Sequence, residues 1–112
     1  MRGTGRATWA DVDSQRTVYI LQSECDPKRF YTGITSDVVQ RLAAHNAGLS
    51  KHSSKWMPWR VVLEMTFLRA SDAFAFERYL KSGSGVAFAQ KHLRPKPASE
   101  FTGKQKAKIV IG

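Results

Sequence analysis

The stretch YTGITSDVVQRLAAHN, residues 31–46, joins a β-like run to a helix, and the rest of the fold is organised around it. Its first five residues include aromatic and β-branched types, which favour strands. Ser36 is a credible N-cap, and Asp37 follows at the positive end of the helix. Arg41 and His45 are four residues apart and therefore lie on one helical face. The stretch predicts a strand followed by a helix that presents a cation beside an imidazole.

A second β-like run precedes this stretch. TVYIL (17–21) and RFYTGIT (29–35) flank the turn signal Asp26-Pro27 and predict an antiparallel hairpin. The further predicted elements are a helix at 37–47 ended by Gly48, a strand at 60–67, a helix capped by Ser71 and Asp72, and a short helix after Gly83-Ser84-Gly85. The order ββαβαα predicts an α+β fold, with a small three-stranded antiparallel sheet flanked by helices.

The distribution of apolar residues divides the 112 residues into three parts. Residues 17–93 hold nearly all the aliphatic and aromatic content and are expected to form the domain. Residues 1–16 are expected to be a flexible N-terminal extension, and residues 94–112, with two prolines and several lysines, a basic C-terminal tail.

The charge balance favours a polyanionic partner. Eighteen Lys and Arg against nine Asp and Glu give a net charge of +9, which is typical of proteins that bind nucleic acid. Ribosomal proteins and membrane-surface binders have similar compositions and stay open at this point. We expect a soluble chain with no membrane-spanning segment, because no run of about 18 apolar residues occurs.

The single cysteine, Cys25, excludes an internal disulfide and a Cys-rich zinc site. A chain with this cysteine usage and no apolar signal segment is expected in the cytoplasm.

Five residues are candidates for chemistry. Arg41 offers a planar fork of donors for phosphate oxygens, and His45 can move protons near neutral pH. Tyr19 and Tyr31 lie on the two arms of the predicted hairpin, so their rings can approach each other, although strand tyrosines commonly serve in packing. Glu77 is surrounded by apolar helix residues, and a lone carboxylate among waters and substrate oxygens suits Mg²⁺.

The alternative for Glu77 is an ordinary surface salt bridge to Lys81, four residues later. Gly33 is expected to allow a bulge or a close approach of the backbone, with ligand contact as a further use. Phosphate-binding loops, zinc-protease motifs and nucleophile elbows are absent from the sequence, which leaves those enzyme classes without support.

The ordered set VYI, ten residues, YTG, RLAAHNAG, KHSSKWMPW and FERYLKSGSG closely resembles the GIY-YIG nuclease domain. The resemblance covers about residues 17–93. It is closest to the small standalone bacterial type, which is related to the N-terminal nuclease domain of the UvrC repair protein.

The resemblance implies a metal-dependent endonuclease that cuts DNA by attack of water at phosphorus. Glu77 would hold Mg²⁺ or Mn²⁺, and Arg41 would neutralise the phosphate oxygens. Tyr19, or Tyr31 with it, would orient or deprotonate the water with a pKa lowered by the metal, assisted by His45. The general base stays open between Tyr19 and His45.

Basic residues around this set are expected to contact the DNA backbone without sequence preference. The candidates for nucleic-acid binding are Gly33, Lys51, His52, Lys55, Arg60, Arg94 and Lys96. Trp56 and Trp59 are expected to pack the loop against the sheet, with base stacking as the alternative. A chain of this length has no room for a separate targeting domain, so we expect a homodimer or a targeting partner.

The competing hypothesis is a nucleic-acid-binding module with an inactive site. The chain has TVYI where the family has Gly-Ile-Tyr, and no Asn follows Asn46, although many family members carry a late Asn. A basic structural protein of a ribonucleoprotein also explains the charge, but it leaves the five candidate residues without a role.

Overall fold

The computed structural model describes residues 15–95 and 107–111. In chain order the elements are β1 (Arg16–Ser23), β2 (Phe30–Thr35), α1 (Val38–Asn46), a 3₁₀ turn (Ser54–Trp56), β3 (Trp59–Phe67), α2 (Ala70–Leu80), α3 (Gly83–His92) and β4 (Ala107–Ile111). The α+β class, the hairpin formed by β1 and β2 and the third strand are confirmed.

The sheet has four strands in the order β2-β1-β3-β4. β1 pairs antiparallel with both neighbours, whereas β4 runs parallel to β3. The predicted three-stranded antiparallel sheet is therefore wrong in strand number and direction. The additional strand, residues 107–111, lies in the segment predicted to be a basic tail, where the β-branched run IVI is too short to stand out from its Lys-rich surroundings.

The predicted extension and tail fall partly outside the described residues. Residues 1–14, 96–106 and 112 are not among them, so both predictions stay untested there. Among the described residues, no helix is sufficiently long and apolar to cross a membrane.

β1 is the centre of the sheet and contributes to two separate cores. Successive side chains of a strand point to opposite faces. Val18 packs with residues of β3, α2 and α3, and Ile20 packs with further β3 residues. Tyr19 and Leu21 pack instead with Trp59 and with side chains of α1. All four β1 residues are buried, so β1 connects an aliphatic side to an aromatic side.

α1 begins one residue later than its sequence indicates. The N-cap is Asp37, whose carboxylate accepts a hydrogen bond from the backbone N–H of Gln40 at 3.1 Å. Ser36 is therefore not the cap, because the longer Asp side chain at the next position satisfies the free N–H. The helix ends before Gly48, as predicted, and this glycine has a φ of 77°.

α2 begins at Ala70, and its N-cap is Arg69. Ser71 and Asp72, predicted to cap the helix, lie inside its first turn. Asp72 still stabilises this end of the helix, because its carboxylate pairs with the Arg69 guanidinium at 3.2 Å.

α3 includes the glycines that were predicted to precede it. Ser82 caps the helix by accepting a hydrogen bond from the N–H of Gly85 at 3.2 Å, so the helix begins at Gly83. A Cβ at Gly85 would collide with the backbone carbonyl of Tyr79. This glycine therefore allows α3 to pack closely against the end of α2.

Candidate active site

A buried hydrogen bond joins Tyr19 and His45. The Tyr19 hydroxyl lies 3.0 Å from Nε2 of His45, and each residue is 1% exposed. His45 is the single buried residue of α1, where Val38 and Leu42 pack beside Tyr19 and direct the helix onto β1. The imidazole predicted to share a helical face with Arg41 is therefore a buried partner of the phenol.

The register of the hairpin makes room for the Tyr19 ring. Tyr19 lies opposite Gly33, and a Cβ at Gly33 would be 2.5 Å from the Tyr19 hydroxyl oxygen. Gly33 thus permits a close approach, as predicted, but by a side chain across the strand pair. Tyr31, two residues earlier, has its ring 6.3 Å from that of Tyr19 and 4.6 Å from that of His45. The predicted approach of the two tyrosines is confirmed.

Arg41 lies one helical turn before His45, and its charge acts on the Tyr19 phenol. Burial raises the pKa of Tyr19, and the hydrogen bond and positive charge of Arg41 partly oppose that rise. The same contact raises the pKa of Arg41. Tyr19 therefore keeps its proton near neutral pH in the absence of further cations, and the lowering of its pKa by a bound metal, which the family resemblance implies, stays a prediction.

The pKa of His45 is shifted downward, whereas that of Tyr19 is shifted upward. Burial and the nearby Arg41 charge lower the pKa of His45, because both disfavour the imidazolium. The ring is therefore neutral near pH 7 and has one nitrogen free to accept a proton.

Ser53 completes this buried network and was not found from the sequence. Its hydroxyl oxygen lies 2.6 Å from Nδ1 of His45, and the residue is fully buried. The backbone oxygen of Ser53 accepts a hydrogen bond from Nε1–H of Trp59 at 2.8 Å. A serine in the polar run KHSSKW has no sequence signal that distinguishes it from its exposed neighbours, because its burial results from the return of the loop onto β3.

Asn46 holds that loop against the sheet. Its side-chain amide donates to the backbone oxygen of Trp59 at 3.0 Å and accepts from the backbone N–H of Trp59 at 2.6 Å. The last residue of α1 and the first residue of β3 are thereby fixed to each other. Asn46 thus supports the position of Trp59 and, through it, that of Ser53.

Glu77 is partly enclosed and forms the salt bridge that was the alternative prediction. Its carboxylate lies 2.6 Å from Nζ of Lys81, and its side chain is 16% exposed. The Lys81 charge also weakly opposes the rise that burial causes in the pKa of Tyr19.

The donor set around Glu77 restricts the ion that it can hold. Among residues 15–95 and 107–111, no group of three or more His, Cys, Asp or Glu side chains is arranged to bind a metal. A single carboxylate fits Mg²⁺, which keeps several waters and takes further oxygens from substrate phosphates. It does not fit a structural zinc ion, which needs four protein ligands.

The residues predicted to contact nucleic acid differ in how accessible they are to a phosphate backbone. Lys51, His52 and Lys55 are exposed on the loop after α1. Arg60 is half-buried and donates to the Gln22 side chain at 2.6 Å. These loop cations are accessible to a phosphate backbone, whereas Arg60 already has a protein partner.

Arg94 is packed against the protein. Its guanidinium carbon lies 4.5 Å from the centre of the Phe30 ring, and its buried Nε has no hydrogen-bond partner among the described residues. Burial lowers the pKa of Arg94. Lys96 lies outside the described residues, so its predicted role stays untested.

The two loop tryptophans pack as predicted. Trp59 is 3% exposed, and Trp56 is half-buried against the same aromatic core. The guanidinium of Arg29 lies 4.2 Å from the centre of the Trp56 ring, and Nζ of Lys55 lies 5.4 Å from it. Base stacking by Trp59 is therefore excluded in this conformation.

The GIY-YIG catalytic domain family matches residues 15–86 of this chain. A UPF0213 protein of Cupriavidus pinatubonensis is 34% identical over 85 residues, which cover 72% of this chain and 94% of that protein. The UPF0213 protein YsiG of Lactococcus lactis is 35% identical over 69 residues, 61% of this chain and 64% of YsiG.

One similar protein has an activity in its name. The structure-specific endonuclease subunit SLX1 of Meyerozyma guilliermondii is 36% identical over 70 residues, which cover 57% of this chain and 24% of SLX1. The likeness is thus confined to about a quarter of that subunit. No solved structure matches this chain.

Proposed function

The chain belongs to the GIY-YIG family, and from this membership we propose that it is a metal-dependent endonuclease that hydrolyses DNA phosphodiester bonds in repair, recombination or processing. The observation that carries the proposal is the hydrogen bond between the buried Tyr19 hydroxyl and a neutral His45, with the Arg41 cation beside it. A buried phenol and imidazole joined by a hydrogen bond, with a guanidinium charge that acts on the phenol, favour charge and proton transfer over packing alone.

Arg41 acts on the phosphate. Its side chain belongs to an exposed residue of α1, so it can bind the non-bridging oxygens of a scissile phosphate with two parallel N–H donors. The negative charge on these oxygens changes during attack, and a permanently charged donor aimed at them stabilises the transition state.

Tyr19 and His45 act on the attacking water. Tyr19 holds its proton at neutral pH, so it receives the proton of water only by passing its own to His45 Nε2, 3.0 Å away. The O–H bond of water breaks as its oxygen bonds to phosphorus, and the proton ends on the imidazole. The P–O bond to the leaving oxygen breaks in the same step, and this oxygen leaves with the bonding electrons and takes a proton from solvent water. Tyr31 is half-buried beside both rings, and its hydroxyl orients the water.

Glu77 would hold the divalent ion together with substrate oxygens and waters. Mg²⁺ or Mn²⁺ bound there would supply positive charge to the phosphate. Lys81 would have to release the carboxylate for this, because Lys81 Nζ is 2.6 Å from it.

The net charge of +9 provides sequence-independent affinity for DNA. Lys51, His52 and Lys55, exposed on one loop, are proposed to contact the phosphate backbone. SLX1 is named as a subunit, and by analogy a second copy or another protein is proposed to select the DNA structure that is cut. We place this activity in the cytoplasm, where a bacterial chain meets DNA.

The test is a cleavage assay on supercoiled, single-stranded and branched DNA with Mg²⁺, Mn²⁺ or EDTA. Wild type is expected to cut only with metal, and Glu77→Ala is expected to lose cutting while binding DNA with unchanged affinity. Arg78→Ala, which removes an exposed charge one position later in α2, is the matched control and is expected to keep the activity.

A second candidate function is a nucleic-acid-binding module without cleavage. The Glu77–Lys81 ion pair favours it, because a carboxylate neutralised by a lysine binds metal less well. Equal binding by wild type and Glu77→Ala, with no metal-dependent product on any DNA, would establish the module and exclude the nuclease.

A further inference from the structure

The Ser53 side chain is buried in contact with the proposed proton acceptor, yet the mechanism above does not use it. Ser53 is fully buried, and its hydroxyl is 2.6 Å from Nδ1 of His45. The opposite nitrogen, Nε2, faces the Tyr19 hydroxyl at 3.0 Å. Both ring nitrogens of His45 therefore have a hydroxyl partner, and the direction of each hydrogen bond depends on the tautomer.

The donors around His45 decide between the two tautomers. A neutral imidazole carries one N–H, so one of its nitrogens donates and the other accepts. The Tyr19 hydroxyl carries one proton, and this buried proton needs an acceptor. Among the described residues, His45 Nε2 is the acceptor within hydrogen-bond distance of that hydroxyl.

The serine hydroxyl competes less well for the imidazole lone pair. A phenol is a stronger acid than an aliphatic alcohol and is therefore the stronger hydrogen-bond donor. The more stable arrangement has Tyr19 O–H donating to Nε2, and Nδ1–H donating to the Ser53 oxygen. Either arrangement leaves one of the two buried hydroxyl protons without the imidazole as its acceptor, and the loss is smaller for Ser53, the weaker donor.

We infer that Ser53 is a positioning residue that holds His45 in the Nδ1–H tautomer, so that the Nε2 lone pair faces the Tyr19 hydroxyl and can take its proton. The inference rests on the proposed nuclease function for its purpose, but not for its geometry. After proton transfer both nitrogens of His45 carry protons, and the Ser53 oxygen continues to accept from Nδ1–H.

Ser53 is itself held on several sides, as this role requires. Its backbone oxygen accepts from Trp59 Nε1–H at 2.8 Å, and its backbone N–H donates to the Ser50 oxygen at 3.2 Å. Trp59 is in turn fixed by the two hydrogen bonds of its backbone to Asn46. The hydroxyl therefore has a defined position relative to the imidazole.

The primary test reads the tautomer directly and needs no substrate. Histidine ring ¹⁵N shifts of the wild-type protein at neutral pH are expected to show a protonated Nδ1 and an unprotonated Nε2 for His45. A protonated Nε2 in the wild-type protein would overturn the inference.

Variants then connect the tautomer to catalysis. Ser53→Ala is expected to lose the Nδ1–H preference and to cut DNA about 10- to 100-fold more slowly, by analogy with the loss of hydrogen-bond partners of metal-ligating histidines. Ser53→Thr keeps the hydroxyl and is expected to keep both properties. The matched control is Ser54→Ala, which truncates the half-exposed serine at the next position. It is expected to change neither the tautomer nor the cleavage rate.

Each result separates the two proposals. An unchanged tautomer and cleavage rate in Ser53→Ala would overturn the inference while the nuclease stands. A wild-type protein that cuts no DNA would overturn the nuclease, while the shifts still report the tautomer. If Ser53→Ala does not fold, Ser53→Cys, which keeps the side-chain shape with a somewhat larger atom and replaces a strong acceptor by a weak one, is measured in its place.

Discussion

The two faces of β1 pack against different kinds of side chain, although the strand is buried from Thr17 to Ser23. On one side Val18 and Ile20 pack into aliphatic clusters with β3 and the last two helices. On the other side Tyr19 enters a network of polar groups with His45, Arg41 and Ser53. Apolar burial stabilises the first side without directional requirements. The second side buries polar groups at a cost that hydrogen bonds offset, and it holds them in one geometry.

This difference predicts that stability and activity can be lost separately. Changes on the aliphatic side are expected to lower the free energy of unfolding and leave catalysis by folded molecules intact. Changes at the exposed end of the polar network are expected to do the reverse. A variant confined to one side that lowered the free energy of unfolding and the cleavage rate per folded molecule to the same extent would contradict this expectation.

The largest effect is expected for Leu63→Ala on the aliphatic side. Leu63 is fully buried, so the substitution creates a cavity and lowers the free energy of unfolding by about 2–5 kcal/mol. Denaturant unfolding measures this loss, and the cleavage rate per folded molecule is expected to stay unchanged. Val39→Ala is the control, because Val39 is 80% exposed and its truncation is expected to cost less than about 0.5 kcal/mol.

Arg41→Ala tests the polar side. Loss of its donors is expected to reduce the cleavage rate about 10²- to 10³-fold, or about 2.7–4 kcal/mol of transition-state stabilisation. Thermal unfolding should change little because Arg41 is an exposed helix residue. Gln40→Ala, which truncates the preceding exposed residue, should cut like wild type. A rate for Arg41→Ala within a few-fold of wild type would remove Arg41 from the mechanism.

Gly33→Ala is expected to affect both properties, because the position joins the sheet to the site. The new Cβ would lie 2.5 Å from the Tyr19 hydroxyl, which must move. Overpacking of this kind costs about 1–3 kcal/mol, and displacement of the hydroxyl slows cleavage. The control is Gly83→Ala, where nothing lies within 4 Å and the free energy of unfolding should rise or stay constant. Unaltered cleavage by Gly33→Ala would show that the position of Tyr19 is not critical.

The buried imidazole predicts a pH dependence of stability. The pKa of His45 in the folded chain lies below its ordinary value of 6.5. As pH falls below about 6.5, this histidine therefore takes up its proton in the unfolded chain before it does so in the folded chain. This contribution to the free energy of unfolding is complete above that pH, decreases through the window between the two pKa values, and is constant below the folded pKa. Denaturant unfolding from about pH 8 to about pH 4.5 measures it.

Two histidine variants sharpen the pH experiment. His45→Gln should flatten the profile between neutral pH and the acid limb, since it removes the buried titrating group. His52→Gln replaces an exposed histidine and should retain the wild-type slope. An equal slope in His45→Gln would assign the pH dependence to another group.

The smallest effect on stability is expected for Lys81→Ala. Lys81 is 54% exposed, so loss of its ion pair with Glu77 should cost less than about 1 kcal/mol. The same change frees the carboxylate, and half-maximal cleavage should then require less Mg²⁺. A requirement for more Mg²⁺ would instead mean that the lysine supports the metal site.

The hairpin was predictable because local patterns decide it. TVYIL and RFYTGIT have alternating β-branched and aromatic residues around a Pro-containing turn, and the structure pairs them antiparallel. The position of β4 was not predictable, because a run of five residues becomes a strand only when β3 offers it a partner edge. The cap of α1 was displaced by one residue for a similar reason, since Ser36 and Asp37 are both good caps and the backbone path selects between them.

For the site, the sequence by itself determined which residue types are available and that Arg41 and His45 share a helical face, because helical spacing is a local property. Only the tertiary structure decided that His45 is buried against Tyr19, that Gly33 makes room for the phenol, and that Ser53 reaches the second imidazole nitrogen. These contacts join residues 14 to 26 positions apart, or 8 positions apart across the loop after α1. Their geometry depends on how the sheet, helix and loop pack together, and no spacing along the chain encodes that packing.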